Sequence, residues 1–350
     1  MEILYNPFQD AGIMNYEQFK LYPFLVFGTL ESIKNRIEEQ IKQIKNGYFF
    51  GERLIILGDR GIGKTSSLFF IKDMLEEGEL EVYYFTRLFE DEETIKMRLK
   101  EFVERKYGEN KTNLIFKEKI GSLFKKPVYI LIDFPDSLDM GTFKRFLIFL
   151  WDLMNRKEYN KINLIFSMNK SHYDKSFTYS EVFGKFMNLR LDKFTFEETE
   201  KMISSRLKLV NLSKEEVFSR EVLETIHNYS KGVPRNIISA CSILISNSNR
   251  NKITKEKAEE ILKEKYFDQV LNDRVEDLEL RLIYKQMISV LKTNFQGVAN
   301  SQEDYVRKAQ EITGIGRNSV LNNIRDLVKY GIFNQYKGGY NRVNKILSLN

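Results

Sequence analysis

Gly58, Gly61 and Gly63 lead into Lys64, Thr65 and Ser66, with Asp59, Arg60 and Ile62 filling the gaps between the glycines. The order G-x-x-x-x-G-K-[ST] is met without departure. Its chemistry is that of an anion cradle. Glycines let successive backbone N–H groups curl round an oxyanion, and a helix opening at the lysine adds the positive end of its dipole. Lys64 brings a mobile positive charge for β- and γ-phosphate oxygens, and the Thr65 hydroxyl is a ligand for a divalent cation. Positions 58–66 therefore predict a site for ATP or ADP, held with Mg2+.

A second group of residues should face that cradle. Val128, Tyr129, Ile130, Leu131 and Ile132 run straight into Asp133, the pattern of a buried strand ending in an acid. Asp133 is predicted to share the metal with Thr65; the alternative is an aspartate capping an ordinary turn. Phe134 stands where many such enzymes carry a water-polarising glutamate. Asp136 is the nearest replacement, with catalysis and turn chemistry both open to it, so slow hydrolysis is expected. Asn169, just past an apolar run over 162–167, is predicted to orient the attacking water, against the plainer reading of a loop asparagine. In Gly232, Val233, Pro234 and Arg235, the proline suits a first helical position and the arginine a first turn. That spacing predicts a guanidinium aimed at the phosphates, closing a helical domain on ATP; the alternative is a surface helix start.

These residues need elements to hold them. Short apolar strands are predicted at 53–57, 82–85, 128–132 and 162–167, separated by helices at 65–76, 92–106 and 140–153, which reads as a parallel α/β sheet. An amphipathic helix over 33–45 puts Ile33, Ile37, Ile41 and Ile44 on one stripe. After Phe194 the strands stop. Thr195 with Glu198, and Ser213 with Glu216, read as helix caps opening an all-α region that continues to about residue 265. A charged stretch over 268–279 leads into the last module. Three domains follow: a P-loop core over 1–194, an α-helical lid over 195–267 and a terminal module over 268–350.

In that module, helices at 303–312 and 318–329 flank a glycine turn at 313–316, the spacing of a helix-turn-helix. Leu321, Ile324, Leu327 and Val328 are predicted to form the inner face. Arg317, Asn318, Ser319, Asn322 and Asn323 are left outside, donors suited to base edges and phosphates. Strand-like runs at 332–336 and 341–347 enclose Gly338 and Gly339, a hairpin wing whose Lys337, Tyr340 and Arg342 could follow the DNA backbone or minor groove. From Ser301 onward, Lys/Arg at 307, 308, 317, 325, 329, 337, 342 and 345 outnumber Asp/Glu at 303, 304, 311 and 326. The module is locally basic, and a reading helix rich in Asn and Arg, not in exposed apolar groups, favours double-stranded DNA over a protein-docking role.

Composition removes other chemistries. One cysteine, Cys241, excludes an internal disulfide, and its apolar setting predicts a buried inert thiol. With only His172 and His227, a histidine-built metal site or triad is not expected. No apolar run approaches the ~20 residues that cross a bilayer, and the N-terminal residues lack the basic-then-apolar order of a signal peptide. A cytoplasmic protein with no membrane partner is expected.

The P-loop, the Asp133 strand, Asn169 and the Arg235 segment together resemble the AAA+ ATPases. With the winged helix added, the chain resembles the origin-recognition and helicase-loader initiators of archaea and eukaryotes. Phe194, Thr195, Phe196, Glu197 and Glu198, then Ile203 to Leu207, then Tyr229 to Arg235, resemble that family's lid. Tyr22, Pro23, Val26, Phe27 and Gly28 resemble its adenine-side segment, though Thr29 stands where an arginine is usual. The resemblance implies ATP-gated binding of duplex DNA, with self-association on DNA and a replicative helicase as further partners. The family's subunit-bridging arginine corresponds to Lys185, with Arg190 slightly beyond, and lysine cannot reproduce its forked contact. No residue is carried over for the family's extra DNA-contacting insertion, which would fall at 86–109. A mobile-element ATPase selecting transposition targets shares the core, and a signalling NTPase whose winged helix docks protein is the reading from another class.

Overall fold

The computed structural model describes residues 6–8, 26–48, 51–85, 127–134, 162–175, 184–248, 253–275, 277–330, 332–337 and 345–349, with isolated helical positions at 141, 145, 146 and 148. The predicted helices at 92–106 and most of 140–153 lie outside them. The chain divides into two compact units. One is Gly12–Phe194 with Val233–Arg235; the other joins Met1–Ala11, Thr195–Gly232 and Asn236–Asn350.

The first unit is built on a five-stranded parallel sheet: β1 (Arg53–Leu57), β2 (Glu81–Phe85), β3 (Val128–Asp133), β4 (Ile162–Met168) and β5 (Met187–Arg190), in the order β2-β3-β4-β1-β5. Strands rich in Ile, Leu, Val and aromatics suit a sheet covered on both faces. Inserting β4 between β1 and β3 brings the carboxyl ends of three strands to one edge, where open α/β sheets bind ligands. Helices α1 (Thr29–Lys45) and α2 (Lys64–Glu77) cover one face. Leu30, Ile33 and Ile37 of α1 and Leu68, Ile71 and Leu75 of α2 pack there on Leu54, Ile56, Tyr129, Leu131 and Ile165, with Ile41 and Ile44 partly buried at the margin. Each fully buried aliphatic side chain contributes about 1.5–3 kcal/mol.

The second unit opens with α4 (Phe196–Lys208), following the short α3 (Lys170–Lys175) of the sheet unit. Thr195 caps it reciprocally: its hydroxyl accepts from the Glu198 N–H at 3.2 Å, and the Glu198 carboxylate accepts from the Thr195 N–H at 2.7 Å. Then come α5 (Lys214–Val217), α6 (Arg220–Ser230), α7 (Pro234–Asn247) and α8 (Lys255–Arg274). Cys241 is fully buried in α7, and burial pushes its thiol pKa up, so it is packing and not a nucleophile. Residues 6–8, expected with the sheet, instead pack in this unit: the Asn6 amide donates to Ser242 and Ser246, and Arg206 donates to the Pro7 carbonyl. The charged stretch over 268–279 is mostly helix, since α8 runs on to Arg274 and only 275–277 separate it from α9 (Leu278–Phe295). Tyr266, Phe267, Val270 and Leu271, all buried, hold that last turn and a half against the unit.

The C-terminal region completes a winged helix-turn-helix: β6 (Val298–Ala299), α10 (Gln302–Thr313), α11 (Arg317–Lys329), β7 (Phe333–Lys337) and β8 (Lys345–Leu349), with the strands antiparallel in the order β6-β8-β7. Gly314, at φ 71°, ends α10 in the left-handed conformation a side chain would resist. The phase of α11 differs from expectation. Its buried stripe is Val320, Asn323, Ile324 and Leu327, while Leu321 and Val328 are half-buried. At about 100° per residue, Asn323 stands about 60° from a stripe centred on Val320 and Leu321 about 100° away. Asn323 thus belongs to the inner face and is removed from the outer set. None of the described helices is long and apolar enough to cross a membrane.

Candidate functional site

The loop between β1 and α2 has the predicted form. Gly61 and Gly63 adopt φ of 83° and 103°, a region costly for any residue with a Cβ. A Cβ on Gly58 would come within 2.5 Å of Ile62 Cγ2, so the loop closes tightly on itself. The Gly58 N–H donates to the Met168 carbonyl at 3.3 Å, fixing the start of the loop to the end of β4. At the other end, α2 starts without a side-chain cap at Gly63, which leaves N–H groups of its first turn for an anion. Lys64 is 8% exposed, and its Nζ folds back to donate to the Asp59 carbonyl at 3.0 Å. Arg60, Ile62 and Ser66 line the same loop and first turn.

Asp133 reaches this loop from β3. Thr65 Oγ1 donates to its Oδ2 at 2.6 Å, and Ser167 Oγ donates to its Oδ1. Sequence reasoning missed Ser167. Its signal lies in the register, because Ser167 of β4 stands directly opposite Asp133. The Phe134 ring is 4% exposed and lies edge-on to Phe146 and Phe166, each at 5.2 Å. An apolar ring packed in the core occupies the place of the glutamate, and Asp136 lies outside the described residues.

Asn169 is buried at the start of α3, and its carbonyl accepts from the N–H groups of His172 and Tyr173. Arg235 joins the cradle through its backbone as well: its N–H donates to the Gly61 carbonyl at 3.2 Å, and a Cβ on Gly61 would stand 3.1 Å from the Arg235 Cβ. On the other flank, Val26 and Phe27 are half-buried before Gly28, which opens α1 at φ 49°. The Phe27 ring meets Phe194 edge-on at 5.5 Å. Tyr22 and Pro23 lie outside the described residues, as does the segment 86–109. Lys185 and Arg190 are both exposed, with Arg190 3.9 Å from Asp192.

Tyr84, on β2, lies at this same edge. Its ring packs against Phe69 of α2 at 4.8 Å, and its buried hydroxyl has no hydrogen-bond partner of good geometry. Burial, and after it the nearby Asp133 carboxylate, pushes the phenol pKa well up.

The donor set fits a hard cation shared with phosphate. Among the described residues no cluster of three or more His, Cys, Asp and Glu could hold a metal by itself. One hydroxyl and one carboxylate beside an anion cradle is the arrangement by which Mg2+ is held together with substrate phosphates.

On the C-terminal module, Arg317, Asn318, Ser319 and Asn322 are exposed along α11, followed by Arg325 and Lys329. Two of these have partners that sequence did not reveal. Arg317 forks onto the Glu303 carboxylate of α10, with Nη2 at 2.9 Å from Oε2, and that contact holds the Glu303 carboxyl below its usual range. Arg325 donates to the Asn322 side-chain oxygen at 3.1 Å. Tyr340, Arg342 and the side chain of Lys337 lie outside the described residues.

No protein-family model matches the chain, and no curated protein does. Solved structures do. The Aeropyrum pernix ORC2 protein in its ADPNP-ADP complexes is similar over 98% of this chain and 93% of its own, with a TM-score of 0.54 at 14% identity. The Aeropyrum pernix ORC1 protein in complex with DNA is similar over 94% and 90%, also with a TM-score of 0.54 at 14% identity. A single-residue variant of Thermotoga maritima RuvB is similar over 94% and 95%, with a TM-score of 0.52 at 14% identity. At that identity the likeness is one of fold. The chain has the fold of the AAA+ ATPases: a parallel five-stranded core, a helical lid and a winged helix.

Proposed function

We propose that this protein is an ATP-dependent, double-stranded-DNA-binding switch of replication-initiator type, with slow hydrolysis. The observation that carries the reading is the contact between Thr65 and Asp133 at the mouth of a glycine cradle. A threonine hydroxyl and a strand-end carboxylate held 2.6 Å apart beside an uncapped helix start have one familiar use, the binding of a nucleoside triphosphate with a divalent cation. When bound, Mg2+ would be held by Thr65 and Asp133 and would offset the negative charge of the phosphates.

The chain's own residues divide the rest of the work. Backbone N–H groups of 61–65 bind phosphate oxygens, and Lys64 exchanges its internal carbonyl for them. Thr65 and Asp133 are the metal-side ligands. Asn169 orients the attacking water, and Asp136 is the candidate base. With Phe134 in the core, no carboxylate directly follows Asp133, which supports a slow turnover in which the nucleotide acts chiefly as a state signal. In this reading Arg235 reports on the nucleotide, its N–H already donating to the Gly61 carbonyl of the P-loop.

DNA recognition in this reading falls to α11, where Arg317, Asn318, Ser319 and Asn322 form an exposed row of donors, with the wing residues Lys337, Tyr340 and Arg342 beside the groove. Duplex DNA with the chain assembled along it, and a replicative helicase, are the partners this reading implies. The test is fluorescence anisotropy of a labelled duplex with ATP, with ADP and without nucleotide, at several salt concentrations. Salt-dependent binding that differs between ATP and ADP is expected. Identical binding in all three states would remove the switch, and absent binding at low salt would remove DNA.

A further inference from the structure

The sheet register gathers more hydroxyl groups around Asp133 than the nucleotide site requires. Tyr84 pairs with Leu131, Leu131 with Ile165, and Asp133 with Ser167. Side chains alternate along strands, so Tyr84, Leu131, Asp133, Ile165 and Ser167 all share one face. It is the face covered by α2, and Tyr84 packs with the core cluster there. From its place opposite Leu131, Tyr84 sits one side-chain step before Asp133, about 6.6 Å along the strand direction. Diagonal neighbours at that spacing are within the reach of an aromatic side chain.

The rest of this face beneath α2 is mostly apolar, and a phenylalanine would fill the space against Phe69 equally well. A tyrosine there buries a donor that no hydrogen bond of good geometry satisfies, with the Asp133 carboxylate near enough to act on it. Such an orphan is unfavourable unless another state satisfies it. Asp133 has the capacity: a carboxylate offers about four acceptor directions, and the Thr65 and Ser167 hydroxyls occupy one on each oxygen.

We propose that Tyr84 is a positioning residue of the cation site: its hydroxyl donates to Asp133 once a divalent cation draws that carboxylate toward the nucleotide, and so fixes the orientation in which Asp133 holds the metal. The inference rests on the nucleotide reading above. Tyr84 touches neither nucleotide nor cation; it acts through Asp133. Hydrogen bonds to a ligating carboxylate from outside the metal's own shell tune affinity by about 10–100-fold.

The experiment uses the full chain and Tyr84→Phe, which keeps the ring on Phe69 and deletes one oxygen. Binding of a fluorescent ATP analogue is measured in EDTA and across an Mg2+ titration, and bound Mn2+ is counted by electron paramagnetic resonance in the presence of ATP. Tyr84→Phe should bind the analogue in EDTA as the native chain does, while its half-saturating Mg2+ concentration and its Mn2+ dissociation constant both rise about tenfold. Phe69→Leu loosens the packing under the ring without touching the hydroxyl. It should lower the thermal midpoint and leave the Mg2+ midpoint in place. Equal Mg2+ midpoints in native and Tyr84→Phe chains would overturn the proposal, as would a Phe69→Leu shift matching that of Tyr84→Phe. A native chain that retains no nucleotide under any condition would instead overturn the underlying nucleotide reading, and this inference with it.

Discussion

The glycine cradle between β1 and α2 and the outer row of α11 are two polar surfaces built in opposite ways. In the cradle the groups open to a ligand are mostly backbone, and the side chains beside them are anchored inward: Lys64 on the Asp59 carbonyl, Thr65 and Ser167 on Asp133. On α11 the candidate groups are side chains in solvent, and their partners are other exposed side chains: Arg317 with Glu303, Arg325 with Asn322. A backbone site forbids side chains at particular positions, and so it writes itself into sequence as glycines at fixed intervals. A helix surface imposes no such prohibition. Its only record is the phase of the buried stripe, and a shift of one residue in that phase exchanges an outer for an inner residue.

The contrast can be broken most forcefully at Lys64. Lys64→Ala removes charge-assisted bonds worth about 1.5–3 kcal/mol each, so ATP retention should fall about 100-fold or more, with circular dichroism unchanged. Calorimetric titration with ATP reads this directly, and undiminished affinity would remove the P-loop assignment. Gly61→Ala tests the backbone half of the same claim. It forces a Cβ into φ 83° and to 3.1 Å from the Arg235 Cβ. Left-handed strain of this kind costs about 1–3 kcal/mol. The thermal midpoint should drop and ATP affinity with it. If this variant melts and binds as the native chain does, the loop conformation is not what makes the cradle.

How far each region was readable follows from the same physics. The apolar run ending in Asp133 announced a buried strand and the acid at its end, and the capping pair at Thr195 and Glu198 announced α4 to the residue. Ser167 and Tyr84 were invisible, because a polar residue in a strand acquires meaning only from its neighbour across the sheet. Ser167 faces Asp133 from 34 residues away in sequence. The charged stretch over 268–279 read only as a lead into the last module, yet α8 runs on to Arg274, with Asp268 exposed while Tyr266, Phe267, Val270 and Leu271 are buried. Charge density reports exposure, and exposure is compatible with helix.

Asn322 and Asn323 sharpen the comparison, being adjacent in sequence and opposite in environment. Asn323 is 8% exposed within the stripe of Val320, Ile324 and Leu327, whereas Asn322 is exposed. Asn323→Ala should therefore act on stability, lowering the thermal midpoint by a few degrees for a loss of about 1 kcal/mol, with duplex affinity of the folded protein unchanged. Asn322→Ala should leave the midpoint in place and weaken duplex binding about fivefold or more, in the range of a lost base-edge contact. Parallel melts and anisotropy titrations separate the two. Exchanged outcomes would mean that α11 presents a different face to DNA.

The smallest expected effect concerns a residue that no reading of the sequence singled out. Glu303 forks onto Arg317, so an incoming phosphate must compete with a carboxylate already in place. Both side chains are more than half exposed, at 60% and 52%, so water screens the pair and its grip is weak. Glu303→Gln removes the negative charge while keeping a side chain of the same length. Duplex affinity should rise about twofold at low salt, and the gain should shrink as salt screens both the pair and the phosphates. Arg317→Ala in the Glu303→Gln background should abolish the gain, since releasing a guanidinium has value only when the guanidinium is there. A gain that survives in the double variant would assign the effect of Glu303 to general repulsion of DNA, and α11 would then carry its recognition through Asn318, Ser319 and Asn322 alone.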